Sequence, residues 1–154
     1  MSLDHAWLLA HLPHQGSMCL LDRVESWDAQ HIRCRASSHR APDNPLRAHG
    51  RLGAACGIEY AAQAMAAHGA LLAAADSAPR VGYLASVRAV ELNVTRLDDI
   101  AADLRIEAER VSGDDNTILY AFSVLAEQSL LLSGRAIVVL DATLLDIIKT
   151  GNST

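Results

Sequence analysis

One stretch of small and apolar residues, 52–75, constrains the fold of this chain more than any other feature. The stretch is rich in alanine, the best helix former, and Glu59 is its only formally charged side chain. A helix that is apolar on nearly all sides is buried on most of them. The sequence therefore predicts a central helix over residues 54–75 that is surrounded by other elements. Because Gln63 and His68 interrupt the apolar run, we expect no membrane span here.

Segments of strand length and composition flank this helix on both sides. Two of them form a predicted hairpin before it, and four follow it with turn-forming residues between them. The ranges are 18–24 and 31–36, then 81–92, 101–111, 117–126 and 130–140. This order is typical of an α+β fold with an antiparallel sheet. One apolar helix and one meandering sheet predict that the sheet curls around the helix.

The whole chain of 154 residues is interpreted as a single domain, because it contains no internal repeat, low-complexity segment or linker. A short N-terminal helix over about residues 4–12 is expected to end before Pro13, since the residue before a proline avoids the helical region. Residues 40–53, rich in proline and glycine, predict a loop. Residues 143–154 are interpreted as a C-terminal tail.

Charge and composition exclude several classes of protein. Eighteen acidic residues against 13 Lys and Arg give a net charge of −5, and aromatic residues make up only 4%, so we expect no nucleic-acid partner. The three cysteines are odd in number and widely spaced, which indicates reduced thiols rather than disulfides or a zinc site. The N-terminus lacks the pattern of a signal peptide, so a cytoplasmic location is expected. No motif for a metal or a cofactor is present in the sequence.

Glu59 is the strongest candidate for chemistry. Burial of an ionised carboxylate is costly, and such a group shifts its pKa upward and stays protonated. A carboxyl held neutral in this way is suited to act as a general acid. The alternative is that Glu59 points out at a gap in the sheet, or pairs with an arginine such as Arg88.

Histidines are the next candidates for proton transfer. His49 lies in the loop before the helix, where free backbone N–H groups can bind an oxyanion. The alternative is an exposed loop histidine without a role. His14 is expected to be structural, and His68 to meet solvent or a neighbouring subunit. Gln63 lies one helical turn after Glu59, so we expect it to fix the carboxyl or to contact the substrate.

The remaining charged residues have two interpretations. Asp98–Asp99 and Asp114–Asp115 are expected in turns, because no cluster of metal ligands accompanies them. The scattered arginines of the later strands could dock an acidic carrier protein, although a solvated strand face explains them equally well. They are Arg88, Arg96 and Arg105.

Several local motifs, in this order, resemble one family. They are Leu-Pro-His-Gln-Gly-Ser-Met-Cys-Leu-Leu-Asp-Arg-Val at 12–24, Asn-Pro-Leu at 44–46, Gly-Ile-Glu-Tyr-Ala-Ala-Gln-Ala-Met-Ala at 57–66, Tyr-Leu-Ala-Ser-Val-Arg at 83–88 and Gly-Arg-Ala at 134–136. Together they are similar to the hotdog-fold 3-hydroxyacyl-[acyl-carrier-protein] dehydratases, and most similar to the dehydratase-like proteins of aryl polyene clusters. The resemblance spans residues 8–142 and implies a hotdog fold, an antiparallel sheet wrapped around a long central helix.

The resemblance also implies a mechanism and partners. By position, His49 would be the base and Glu59 the acid, while N–H groups around Cys56 and Gly57 would bind the thioester carbonyl. The substrate would be a 3-hydroxyacyl chain on acyl carrier protein, in fatty-acid or aryl-polyene-type synthesis. The two catalytic side chains would come from different subunits, so a homodimer or higher oligomer is expected.

The residues after His49 differ from the family's Phe-Pro-Gly, and the loop from His49 to the helix is shorter. This difference favours an alternative, a non-catalytic hotdog subunit that pairs with a related, active dehydratase as a hetero-oligomer. A hotdog thioesterase is a further alternative.

Overall fold

Six antiparallel strands and two α-helices make up the part of the chain that the computed structural model describes, which is residues 2–13, 16–76, 83–114 and 116–139. The helices are α1 (His5–His11) and α2 (Gly57–Asp76). The strands are β1 (Arg23–Trp27), β2 (His31–Ala36), β3 (Tyr83–Leu92), β4 (Leu104–Gly113), β5 (Thr117–Ala126) and β6 (Ser129–Val139). The predicted α+β class with an antiparallel sheet is confirmed.

The strands form one sheet in the order β1-β2-β4-β5-β6-β3. The sequence predicted a simple meander after the helix, and this is wrong for β3, which pairs with β6 rather than with β4. From β2 outwards, β4, β5 and β6 follow one another in chain order, and β3 lies at the far edge beside β6.

Helix α2 packs across β2, β4 and β5. Strand β5 alternates buried and partly buried residues along its whole length, so every second side chain, including Tyr120 and Phe122, points towards the helix. A 3₁₀ turn at Ala54–Cys56 precedes α2, so the predicted helix of residues 54–75 is confirmed with a tighter first turn. The prediction that the helix is buried on most sides is confirmed, and its partly open side runs along Glu59, Ala62 and Ala66.

The structure contains the short N-terminal helix that the sequence predicts. Helix α1 is capped by Asp4, whose carboxylate accepts a 3.0 Å hydrogen bond from the Trp7 N–H, and it ends ahead of Pro13. The strand expected from residue 18 begins only at Arg23, because residues 16–18 form a 3₁₀ turn. The tail at 143–154 and His14 lie outside the described residues.

Strand β3 forms one edge of the sheet and is exposed along nearly its whole length. Four of its apolar side chains are between 37% and 48% exposed, namely Tyr83, Leu84, Val90 and Leu92. An exposed apolar edge strand offers unpaired backbone groups to another chain. None of the described helices has both the length and the apolar character needed to cross a membrane.

Candidate functional site

The start of α2 is held in place by the segment between β3 and β4. The Ala54 N–H donates to the Thr95 carbonyl at 3.1 Å, and the Leu97 N–H donates to the Leu52 carbonyl at 2.8 Å. Gly53 and Arg96 add a β-bridge between the same two segments. Backbone hydrogen bonds therefore hold the start of the helix against the segment that follows β3.

Gly57 lies at a close approach between the helix and β6. A Cβ atom at this position would lie 2.6 Å from Cδ2 of Leu132, a fully buried side chain. The lack of a side chain at Gly57 thus permits the close contact.

The N–H groups expected to bind a substrate oxygen are engaged within the turn. The Cys56 N–H donates to the Gly53 carbonyl at 3.0 Å, and the Gly57 N–H donates to the carbonyls of Ala54 and Ala55. A thioester oxygen would have to replace these bonds. Burial raises the pKa of the Cys56 thiol, so this group is a neutral thiol at pH 7.

Glu59 lies in the first turn of α2, on the partly open side of the helix. Its side chain is partly buried, which lies between the buried carboxyl expected from the sequence and the alternative of one that points out at a gap in the sheet. A carboxylate in the first turn interacts favourably with the positive end of the helix dipole. The position therefore combines restricted access of water with a helix dipole that favours the negative charge a carboxyl acquires when it gives up a proton.

His49 is exposed at the tip of a two-residue turn. Ala48 and Arg51 exchange hydrogen bonds of 2.9 and 3.0 Å, and His49 and Gly50 both have positive φ, 54° and 72°. This is the backbone of a tight hairpin turn, in which a non-glycine residue at positive φ is strained. The Arg47 guanidinium donates to the Gly50 carbonyl at 3.2 Å and so braces the turn. The imidazole therefore lies on a loop whose backbone is held by hydrogen bonds.

Asp98 connects this loop to the helix start. Its Oδ1 accepts a 2.9 Å hydrogen bond from the Leu52 N–H and another of 2.9 Å from Arg96, and its Oδ2 lies 3.9 Å from the Arg47 guanidinium. The Arg96 guanidinium and the Leu52 N–H hold the pKa of Asp98 well below its usual range. Asp98 does lie in a turn as predicted, but its anchoring role was missed, since no local pattern reveals a partner 46 residues away.

Gln63 is fully buried and both ends of its amide bind the backbone of the opening segment. Its Oε1 accepts from the Leu20 N–H at 2.8 Å, and its Nε2 donates to the Met18 carbonyl at 2.7 Å. The structure thus places Gln63 between the helix and residues 18–20, where it fixes their relative position.

A second buried network, which the sequence did not suggest, surrounds Tyr60. The Ser38 hydroxyl donates to the Leu20 carbonyl at 2.8 Å and lies 2.7 Å from the Tyr60 hydroxyl, which also accepts from Asn44 Nδ2 at 3.1 Å. Burial raises the pKa of Tyr60, so the phenol stays protonated. The network ties the loop of residues 38–46 to α2.

His68 is also buried, which corrects the expectation that it meets solvent or a neighbouring subunit. It lies nine positions after Glu59, on the opposite side of the helix, and that side faces the sheet. Its Nδ1 is 2.7 Å from the Tyr120 hydroxyl and its Nε2 is 2.7 Å from the Asp28 carbonyl. Both ring nitrogens are satisfied within the core.

Among the described residues, no three His, Cys, Asp or Glu side chains cluster in a way that would hold a metal ion.

Comparisons with known proteins bear on the family and the fold of the chain. The model of the ApeP-like family, described as ApeP dehydratase, matches residues 8–148. The dehydratase heterocomplex ApeI:P from Xenorhabdus doucetiae has a chain 22% identical to this one, with a TM-score of 0.79, and the match covers 95% of this chain and 97% of that one. Among curated proteins, none matches this chain in sequence.

More distant solved structures share the fold. A mutant thioesterase from Pseudomonas aeruginosa is 14% identical with a TM-score of 0.63, covering 88% of this chain and 92% of that one. A hypothetical thioesterase with coenzyme A from Streptococcus pneumoniae is 13% identical with a TM-score of 0.57, covering 77% and 86%. The predicted hotdog fold is confirmed. Since the family model spans nearly the whole sequence, the chain belongs to the ApeP-like family of hotdog dehydratase-like proteins.

Proposed function

We propose that this chain catalyses the loss of water from a 3-hydroxyacyl thioester carried on acyl carrier protein. Glu59 is the general acid and His49 the general base. The observation that carries the proposal is the position of Glu59, a partly buried carboxyl in the first turn of α2 in a chain of the ApeP dehydratase family. The three free cysteines support a reducing, cytoplasmic setting.

In the proposed reaction, the His49 imidazole removes a proton from the carbon next to the thioester carbonyl. The electron pair of that C–H bond forms the C=C bond, and the C–O bond to the 3-hydroxyl breaks. Glu59 gives its proton to the departing hydroxyl, which leaves as water. The N–H groups of Cys56 and Gly57 bind the thioester oxygen once they exchange their bonds within the turn. Gln63 supports this site indirectly, by holding residues 18–20 against the helix.

We further propose that the acid and the base meet across a subunit boundary. His49 is exposed at the tip of a braced turn, so its imidazole is available to a neighbouring chain. The apolar edge strand β3 supports pairing with such a chain. The neighbour is either a second copy or a related dehydratase, as in the heterocomplex described above.

The test is an assay of dehydration with the purified chain, alone and mixed with a related dehydratase. Glu59→Gln and His49→Ala are each expected to lower kcat by about 100-fold or more, since each removes a proton-transfer group. Glu109→Gln, an exposed carboxylate on the outer face of the sheet, is the matched control and is expected to keep full activity. Full activity of Glu59→Gln would overturn the assignment of the acid. Free thiol without enoyl product would instead indicate thioester hydrolysis.

A second candidate is a non-catalytic subunit that supports an active dehydratase. It is favoured by the internal hydrogen bonds of Cys56 and Gly57, which occupy the N–H groups that the reaction needs. In this case activity requires the mixture and is lost without this chain, but it is unaffected by Glu59→Gln and His49→Ala.

A further inference from the structure

Two arginines lie directly opposite each other near the β3 edge of the sheet. Arg88 on β3 and Arg135 on β6 are register partners in an antiparallel pair, and both side chains are exposed. Side chains in this arrangement have Cβ atoms about 5 Å apart, and like charges placed so destabilise the sheet. The pair thus favours an anion between the two guanidinium groups.

Within the described part of the chain, no carboxylate lies within ion-pair distance of Arg88 or Arg135. Most arginines of the other strands and loops do have acidic partners. These ion pairs join Arg23 and Arg35 to Glu25, Arg33 and Arg105 to Glu107, Arg40 to Asp103, and Arg96 to Asp98. The two opposed arginines therefore differ from most arginines of the described surface.

The arginines lie beside a pocket of about 440 Å³ on the outer face of the sheet, away from α2. Strand β5 shows which face this is, because Ile118 and Tyr120 point into the core while Leu119 lines the pocket. Hydroxyl groups of Ser112 and Thr117 add hydrogen-bonding groups to the same pocket.

The pocket also contains one carboxylate, Asp114, which is engaged by the backbone. Its Oδ1 accepts hydrogen bonds of 2.8 Å from the Asn116 N–H and 2.9 Å from the Thr117 N–H. Two guanidinium groups against this one carboxylate leave the pocket with a net positive charge.

We propose that the Arg88–Arg135 pocket binds a phosphate group of the thioester carrier. Guanidinium groups form bidentate hydrogen bonds with phosphate oxygens, and the neighbouring hydroxyls supply further donors. The source of the phosphate rests on the proposed function, since acyl carrier protein holds its acyl chain on a phosphopantetheine arm. Coenzyme A carries the same phosphate chemistry.

The test is direct binding by calorimetry, without turnover, so that its result is independent of the dehydratase assay. The probes are 4′-phosphopantetheine, coenzyme A and pantetheine, which lacks the phosphate. We expect pantetheine to bind the unaltered protein at least about tenfold more weakly than the two phosphate-containing probes. Similar affinity for 4′-phosphopantetheine and coenzyme A supports the carrier arm as the source, and clearly tighter coenzyme A binding supports coenzyme A.

The matched variants are the double variant Arg88→Gln with Arg135→Gln, and the control Arg33→Gln. Arg33 lies on the same outer face but pairs with Glu107 at 2.9 Å. The double variant is expected to lose about tenfold in affinity for 4′-phosphopantetheine, and the control to lose none. Inorganic phosphate is also expected to raise the Tm of the unaltered protein and not that of the double variant. Unchanged affinity in the double variant, or an equal loss in Arg33→Gln, would overturn the proposal.

Discussion

The Tyr120 hydroxyl donates a 2.7 Å hydrogen bond to Nδ1 of His68, joining the centre of the sheet to the central helix. The other ring nitrogen, Nε2, bears the proton and donates a 2.7 Å hydrogen bond to the Asp28 carbonyl. One neutral tautomer of the imidazole satisfies both bonds. The polar histidine is therefore compatible with full burial in the core.

The first prediction concerns this hydrogen bond. Tyr120→Phe leaves Nδ1 of a fully buried His68 without its donor, so we expect the free energy of unfolding to fall by about 1–3 kcal/mol. Chemical denaturation measures the change. Tyr83→Phe is the control, because Tyr83 is 39% exposed on the edge strand, and its effect is expected to be close to zero. Equal effects of the two substitutions would contradict the prediction.

The second prediction concerns pH. Burial lowers the pKa of His68 and of His39, which favours the neutral imidazole in the folded chain. The unfolded chain then binds protons more readily, so this contribution to stability is fully present above the unfolded pKa of about 6.5 and is lost as the pH falls below it.

Denaturation between pH 8 and pH 5 is expected to show the free energy of unfolding decreasing on the acid side. Replacement of both buried histidines by glutamine should flatten this decrease, whereas His11→Gln, at an exposed position of α1, should leave it in place. A decrease of the same size in the double variant would show that other groups cause it.

The third prediction compares two glycines of the same helix. Gly57→Ala places a Cβ atom 2.6 Å from the buried Leu132, so we expect destabilisation by about 1–3 kcal/mol. Gly69→Ala meets nothing within 4 Å and restricts the unfolded chain, so we expect stabilisation by about 0.5–1 kcal/mol. Thermal unfolding of both variants should therefore move Tm in opposite directions. A rise in Tm for Gly57→Ala would show that Leu132 adapts freely.

The fourth prediction separates the two roles considered for Gln63. Gln63→Leu leaves the Leu20 N–H and the Met18 carbonyl without their partner, and each such loss costs about 1–3 kcal/mol. We expect a clear loss of stability, measured by denaturation, with Gln30→Ala on an exposed turn as the control. An unchanged stability combined with a raised KM would instead support direct contact with substrate.

The fifth prediction concerns the loop that carries His49. Asp98→Asn removes the negative charge between Arg96 and Arg47, so amide hydrogen exchange around residues 47–52 is expected to become faster. Because the pKa of Asp98 is lowered in the folded chain, its contribution to stability is present above about pH 4 and is lost as the pH falls further. Asp43→Asn, at an exposed loop position, is the control and should leave the exchange rates unchanged.

Local patterns in the sequence were enough to predict where individual strands lie along the chain. Strand β5 was predicted over residues 117–126 and is observed as Thr117–Ala126, because alternating apolar residues bounded by turn residues specify a strand locally. The position of β3 was not predictable in this way. Its partner β6 is about 45 residues away in sequence, with β4 and β5 between them, and pairing at that separation depends on the assembly of the whole sheet.

For the candidate site, the sequence by itself determined which residues attract attention, and the tertiary structure decided what each one contacts. Glu59 stands out because a charged residue among alanines can be recognised from the sequence alone. The partners of Gln63 and His68 lie 40–52 residues away, so their burial and hydrogen bonds exist only once helix and sheet are packed together. Composition and periodicity report how a residue relates to its neighbours along the chain, whereas satisfaction of a buried polar group depends on neighbours in space.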